Sequence, residues 1–224
     1  LNPVPLCANF QKSNIDPTTN RAYPKQFLVP YLGYNNLIYR EGGASANYHS
    51  LQGAANRRCA RRLQFGVAWT WSKSMDYNSS DQTTVSALAP VRVWNYGLSG
   101  YDRTHMFKLN WLWDVPRLGV GNKVLDRVVN HWQLSGIASL ISGSPMSVGY
   151  STTTAVDTTG TPTQGARIVV LSNPILPKSE RTFDRYFNTE VFRLPAVGTF
   201  GNAARTVIRG PGINNWDIAL FKNI

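Results

Sequence analysis

Three histidines and two neighbouring aspartates are the residues of this 224-residue chain best suited to metal binding or acid–base chemistry. Three histidines can bind zinc, but the spacings of 56 and 26 residues between His49, His105 and His131 match no local ligand pattern. Asp76 and Asp81 could serve a hydrolase only if the fold brought their carboxylates together. We expect no catalytic residue, no metal site and no cofactor, and therefore no enzyme.

Other catalytic signatures are also missing. The nucleophile motif G-x-S-x-G does not occur, and the segment SGSP at 142–145 is typical of a strand end followed by a turn. Cys7 and Cys59 are the only cysteines and form no C-x-x-C pair, which argues against a structural zinc site and a disulfide framework. A single bridge between them would require an oxidising compartment.

A basic cluster is the strongest charge feature of a chain whose formal net charge is +11. It contains four arginines, Arg57, Arg58, Arg61 and Arg62. Nucleic-acid binding would need aromatic side chains beside them for stacking, but the strand from Arg62 to Trp69 spans about 23 Å. We interpret the cluster as a solvated turn between two strands and expect no nucleic-acid partner.

The elements that would position these residues are strands. Apolar and polar side chains alternate strictly through residues 63–71 and 105–113, more weakly through 132–140, and again around Trp216, Ile218 and Leu220. Period two indicates a strand, because successive side chains point to opposite faces. The first three runs are nine residues long, which suits a tilted strand crossing a bilayer, about 9–11 residues, better than an ordinary globular strand.

Tryptophans mark the ends of these alternating runs. An indole has an apolar body and a polar N–H, so it suits the boundary between lipid and water. The sequence therefore predicts membrane-interface aromatic residues at Trp69, Trp71, Trp111, Trp113, Trp132 and Trp216. The alternative is a soluble β-sandwich binding module, for polysaccharide or another surface ligand, with these tryptophans in its core or exposed for binding.

The lengths of the connections favour the barrel. With weaker strands near 37–40 and 48–56, the chain predicts a meander of about six antiparallel strands. In a meander the connections alternate between two ends, so the long ones at 76–102 and 143–213 should share one end. Long loops at one end and short turns at the other are typical of outer-membrane barrels. Ligand contacts are expected from loops 77–100 and 144–211, and from lumen-facing Lys108 and Asn110.

Composition agrees with an all-β chain in a membrane. Charged residues are 16% of the total, against roughly 25% in ordinary soluble domains. Aromatic residues make up 12%, and no apolar run approaches the roughly 20 residues of a membrane helix. The predicted fold class is an all-β, antiparallel, membrane-type β-barrel segment.

Several segments, in order along the chain, resemble TonB-dependent outer-membrane receptors, in particular the Oar-like group with an N-terminal carboxypeptidase-regulatory-like domain. The matching segments are NYHSLQ (47–52), LQF (63–65), TWSKS (70–74), YDRTH (101–105), HWQLSGI (131–137), SGSP (142–145), FNT (187–189) and the block 198–223 with GTFGNAAR, RGPG and WDIALFKN. No single segment is specific, but their shared order is.

The resemblance implies a barrel of about 22 strands in the bacterial outer membrane that admits a scarce small ligand with energy delivered by TonB. It also implies a plug domain, a TonB box and a final strand ending in an aromatic residue. None of these three is present in the sequence. We therefore expect residues 1–224 to be a partial barrel domain without the plug and the final strands, with outer-membrane lipid, TonB and the plug domain as partners.

Overall fold

The computed structural model describes residues 2–35, 37–59, 62–80, 88–151, 158–162 and 164–223. Its strands are β1 Ile15–Asp16, β2 Arg21–Ala22, β3 Ala46–Cys59, β4 Leu63–Asp76, β5 Gly97–Leu98, β6 His105–Asp114, β7 Trp132–Ile141, β8 Pro145–Met146, β9 Val169–Val170, β10 Phe192–Arg193, β11 Ile208–Arg209 and β12 Ile213–Lys222. The α-helices are α1 Lys25–Leu28, α2 Val91–Asn95 and α3 Lys123–Val129, and short 3-10 helices cover Ala8–Phe10, Lys12–Asn14 and Lys178–Glu180. No helix within these ranges is long and apolar enough to cross a membrane.

The chain divides into two compact units. The sheet unit contains residues 47–74, 101–144 and 210–224, and the loop unit contains residues 1–46, 75–100 and 145–209. Each unit is assembled from several separate segments of the chain, so each depends on contacts between residues far apart in sequence.

The sheet unit is built on five long strands in the order β12-β7-β6-β4-β3. Antiparallel pairing joins β4 to β6, β6 to β7 and β7 to β12 over nine or ten residue pairs each. The pairs Phe65↔Trp111 and Val67↔Leu109 lie two residues apart in register and therefore on one face. The prediction that residues 63–71, 105–113 and 132–140 form neighbouring antiparallel strands is confirmed.

Two strand predictions need correction. Residues 37–40 form no strand and are exposed, and the sixth strand of the sheet is instead the two-residue β5, which pairs with the end of β4. The basic cluster is also placed differently, because β3 continues through Cys59. Arg57 and Arg58 are thus strand residues and not part of a turn. Arg61 lies outside the described residues.

Both long connections meet the sheet at the same end, as predicted. The connection after β4 rejoins the sheet at β6, where Trp71 pairs with His105. The connection after β7 rejoins at β12, where Ile141 pairs with Ile213, and Ile141 also pairs with Met106. The start of β6, the end of β7 and the start of β12 are therefore adjacent.

The loop unit is folded through its own short strands and buried residues. Two-stranded pairings join β8 to β11 and β9 to β10. Near the start of the chain, Val4, Ala8 and Val29 form a small core. The Thr161 hydroxyl donates to the carbonyl of Val4 at 2.7 Å, which ties this core to the second long connection. The segments predicted as loops thus contain regular structure of their own.

Candidate functional site

The register of the sheet gives it one continuous apolar face. Side chains alternate along each strand, and the paired positions Val67, Leu109, Ala138 and Trp216 run in line across β4, β6, β7 and β12. Further apolar residues extend the same face above and below this row: Leu63, Phe65, Trp69, Phe107, Trp113, Leu134, Leu140, Ile218 and Leu220. The residues between them in each strand therefore lie on the other face of the sheet.

The opposite face is polar around Lys108 and Asn110. Lys108 pairs with Ala68 and Ser139, and Asn110 pairs with Gly66 and Ile137. These two residues, predicted to face a ligand, therefore share a face of the sheet. A shallow concavity of about 470 Å³ lies on the sheet. Its lining combines polar residues, among them Gln64, Asn110, Ser135 and Asp217, with apolar ones such as Leu112 and Ile137. Amide, hydroxyl and carboxylate groups at this surface can exchange hydrogen bonds with a polar ligand.

Gly66 lets two amide side chains from the flanking strands approach it on the polar face. A Cβ at Gly66 would overlap the side-chain oxygens of both Asn110 and Asn56. The absence of a side chain at this position lets Asn56 of β3 and Asn110 of β6 approach the backbone of the intervening strand. Asn56 therefore joins the polar surface, which the sequence pattern of β3 did not reveal.

The six predicted interface tryptophans occupy different heights on the apolar face. Trp69 and Trp71 lie toward the end that carries the long connections. At the opposite end, Trp113 pairs with Leu63 on one side and Leu134 on the other. Trp132, which pairs with Lys222, lies two residues further toward that end of the sheet than Leu134.

Trp111 and Trp216 occupy intermediate heights, paired with Gly136 and Ala138. Their ring centroids are 6.0 Å apart, and the rings are tilted by 59°. They therefore pack against each other, an arrangement that stabilises aromatic pairs.

Arg205 organises the loop unit. Its guanidinium donates to the carbonyl oxygens of Asp76, Asn95 and Leu98 at 3.0, 3.3 and 2.9 Å. It also donates to the Ser79 hydroxyl at 2.9 Å and forms an ion pair with the Asp76 carboxylate. Asp76 is only 7% exposed. One cation thus satisfies buried acceptors from several parts of the first long connection.

A second arginine of the loop unit contacts aromatic residues. The Arg167 guanidinium lies 4.0 Å from the centroid of the Trp94 ring and donates to the Trp94 carbonyl at 2.7 Å. Trp94 packs in turn against Phe200, with centroids 5.5 Å apart. Burial, together with the positive charge of Arg205, lowers the pKa of the Arg167 guanidinium. Stacking on Trp94 offsets part of the cost of placing this charge away from water.

The residues considered for catalysis are dispersed. His49 lies in β3, His105 stacks on Trp69 with centroids 5.9 Å apart, and His131 follows α3. Within the described ranges, no group of three or more histidine, cysteine or acidic side chains is placed to hold a metal ion. Asp76 is engaged by Arg205, and Asp81 lies outside the described residues.

Sequence reasoning missed Arg205 and Arg167. Arg205 ends the segment GTFGNAAR, which contributed to the resemblance, but its partner Asp76 is 129 residues away. No local spacing identifies such a pair. The sequence showed only that one long connection contains the acidic residue Asp76 and the other the basic residue Arg205, which does not predict that they form a pair.

Comparison with known proteins identifies the family of the chain. A family model described as an outer membrane beta barrel domain matches residues 3–224. Comparison with curated proteins and with solved structures gave no match. The family match decides between the barrel and the soluble sandwich, and it agrees with a sheet that has one apolar and one polar face. The chain therefore belongs to the outer membrane beta barrel domain family, a family of the bacterial outer membrane whose barrels are surrounded by lipid.

Proposed function

We propose that the chain forms part of the barrel of a TonB-dependent receptor of the Oar-like group, and that it takes up a small ligand without enzymatic chemistry. The observation that carries the proposal is the sheet itself, which is apolar on one face, carries most of its polar side chains on the other, and is joined to both long connections at one end. Outer-membrane barrels place long loops outside the cell and polar side chains in the lumen. The ordered segments shared with TonB-dependent receptors point to this class of barrel.

The tryptophan positions support a membrane placement of the apolar face. The eight residues that separate the Trp71 and Trp113 levels span about 26 Å along the strand. With a tilt of about 40°, this becomes roughly 20 Å along the membrane normal, close to the apolar band of about 25 Å in outer-membrane barrels. Trp69 and Trp71 would then mark one interface, and Trp113 and Trp132 the other.

The ligand path in this proposal runs along the polar face. Loops 77–100 and 144–211 would make the first contacts, and Lys108 and Asn110 would contact the ligand or the plug domain inside the lumen. Arg205 serves this function indirectly, because it holds Asp76, Asn95 and Leu98 in one arrangement. TonB and the plug are the expected protein partners.

Accessibility of the lumen tests the proposal directly. In bacterial cells, Lys108→Cys is introduced with Cys7 and Cys59 replaced by serine, and labelling with a membrane-impermeant maleimide is measured with and without an uncoupler. A plug moved by TonB should make labelling greater in energised cells, and the difference should disappear in cells that lack TonB.

The matched control is Val67→Cys, which lies near Lys108 in the sheet but on the apolar face. It should stay unlabelled under all three conditions. Labelling of Lys108→Cys that is equal with and without energy would contradict TonB-dependent uptake and indicate a passive pore.

A further inference from the structure

Helix α3 is attached to the end of the apolar face of the sheet. The Trp132 indole N–H donates to the carbonyl of Val128 at 3.0 Å, and the Lys222 ammonium donates to the same carbonyl at 3.2 Å. Lys222 also donates to the Asn130 carbonyl. These donors satisfy carbonyls at the helix C-terminus, where a positive charge is favourable.

Both anchoring side chains belong to the lipid-facing side. Trp132 pairs with Lys222 across β7 and β12, and the Lys222 ammonium lies 4.7 Å from the Trp132 ring centroid. Alternation places Trp132 on the same face as Leu134, and Lys222 on the same face as Leu220. The C-terminal end of α3 therefore lies at the apolar face, at the end of the sheet opposite the long connections.

The side chains of α3 separate into an apolar and a polar arc. At about 100° per residue, Val124, Val128, Leu125 and Val129 fall within about 140° of one another, and Asp126, Lys123 and Arg127 fall on the other side. The apolar arc is not covered by the sheet unit, since Val124 is 73% exposed and Val128 is 60% exposed. A soluble protein would gain by burying such a surface.

The charges on the polar side of the helix are mainly basic. The polar arc carries Lys123 and Arg127, and Lys222 lies at the helix C-terminus. The one acidic residue of α3, Asp126, is occupied locally, since it accepts from the Asn130 side-chain amide at 2.6 Å and lies 3.7 Å from the His131 ring. Basic groups therefore remain on the polar arc and at the helix C-terminus, and long basic side chains in such a position reach the phosphate groups of phospholipids.

We propose that α3 is an interfacial membrane helix. Its surface of Val124, Leu125 and Val128 enters the boundary between headgroups and acyl chains, and Lys123 and Arg127 contact lipid phosphates. The helix extends the lipid contact of the apolar sheet face into the leaflet at the end opposite the long connections. This inference rests on the outer-membrane placement of the sheet but not on TonB-dependent uptake.

Site-directed spin labelling tests the inference. The protein, with Cys7 and Cys59 replaced by serine, is reconstituted in vesicles of phosphatidylethanolamine and phosphatidylglycerol, and single cysteines carry a nitroxide at Val128 or Arg127. An apolar arc inserted about 5–10 Å below the phosphates should give the Val128 label a several-fold higher ratio of oxygen to nickel-chelate accessibility than the Arg127 label.

A label at Ile218→Cys, on the apolar sheet face, serves as the reference for lipid exposure. Equal, water-like accessibility at Val128 and Arg127 with a lipid-exposed Ile218 would overturn the inference for α3 alone. A water-exposed Ile218 label in the folded protein would overturn the lipid placement of the sheet and, with it, the inference for α3. Neither result depends on whether TonB energises uptake.

Discussion

The indole ring of Trp111 lies against Gly136 of the neighbouring strand, where a side chain would overlap with it. An added Cβ would be 2.5 Å from Cη2 of the indole and 2.9 Å from the carbonyl oxygen of Asp217 on the other side. Trp111 also packs against Trp216. The glycine therefore creates the space that allows two tryptophans to cover the middle of the apolar face.

Gly136→Ala should destabilise the sheet by about 1–3 kcal/mol, because overpacking forces the indole or the backbone to move. The measurement is urea unfolding of the reconstituted protein followed by tryptophan fluorescence. Gly53→Ala in β3 is the control, since no atom lies within 4 Å of the added Cβ. An unchanged midpoint for Gly136→Ala would contradict the packing described for Trp111.

Arg205→Ala should open the first long connection. Removal of one partner of a buried ion pair costs about 3–5 kcal/mol, and Asp76 would lose its cation in a site that is 7% exposed. Since each 1.4 kcal/mol is a factor of ten, amide exchange at Trp94 and Tyr96 should accelerate on the order of 100-fold or more. Arg185→Ala is the matched control, because that side chain is exposed. Similar exchange in both variants would show that Arg205 does not stabilise this connection.

Val67→Arg should distinguish the two faces of β4. On the lipid face near the bilayer centre, arginine costs roughly 2–4 kcal/mol. Ala68→Arg lies at the same height on the polar face, where the neighbouring Lys108 adds a like-charge cost of less than about 1 kcal/mol. Unfolding midpoints in liposomes provide the comparison. Equal losses in the two variants would argue against a lipid-facing Val67.

The C-terminal end of α3 should loosen in acid. The hydrogen bond from the Asn130 amide, with the nearby His131, lowers the pKa of Asp126. Its carboxylate therefore stabilises the folded state above the unfolded pKa of about 3.9, and this contribution is lost as pH falls through the lower, folded value. The backbone N–H of Asn130 donates to the carbonyl of Asp126 at 3.0 Å. Its protection factor, the exchange rate relative to that of an unstructured amide at the same pH, should fall in acid, and Asp126→Asn should abolish this fall. A fall in the protection factor that persists in Asp126→Asn would assign the effect to another group.

The long strands were predictable because their signal is local. Alternation over nine residues identifies both the strand and the two faces of its side chains. A shift of one residue in the pairing of β4, β6 and β7 would move apolar side chains to the polar face, so the apolar positions also restrict the register. The run at 37–40 carried too few residues to separate a strand from an exposed segment. Strand β3 ends at Cys59, three residues beyond its predicted end. The additional residues follow from pairing with β4, which the side-chain pattern does not show.

The loop unit was not predictable in the same way. Its two-residue strands are too short to show a period, and its buried contacts join distant segments, as when Thr161 donates to Val4. The hydrogen bonds of Arg205 depend on the folded course of two connections at once. Helix α3 escaped prediction for another reason, since seven residues complete only about two turns.

Strand direction in the sheet has a consequence for how a barrel can be completed. A connection of three residues makes β3 antiparallel to β4, so along β3, β4, β6, β7 and β12 the direction reverses four times. The two outermost strands then run the same way. If one copy closed on itself, or several copies formed a ring, β12 would pair with β3 in parallel. An all-antiparallel cylinder containing this sheet must insert an odd number of other strands between β12 and β3, which gives the even total of bacterial outer-membrane barrels.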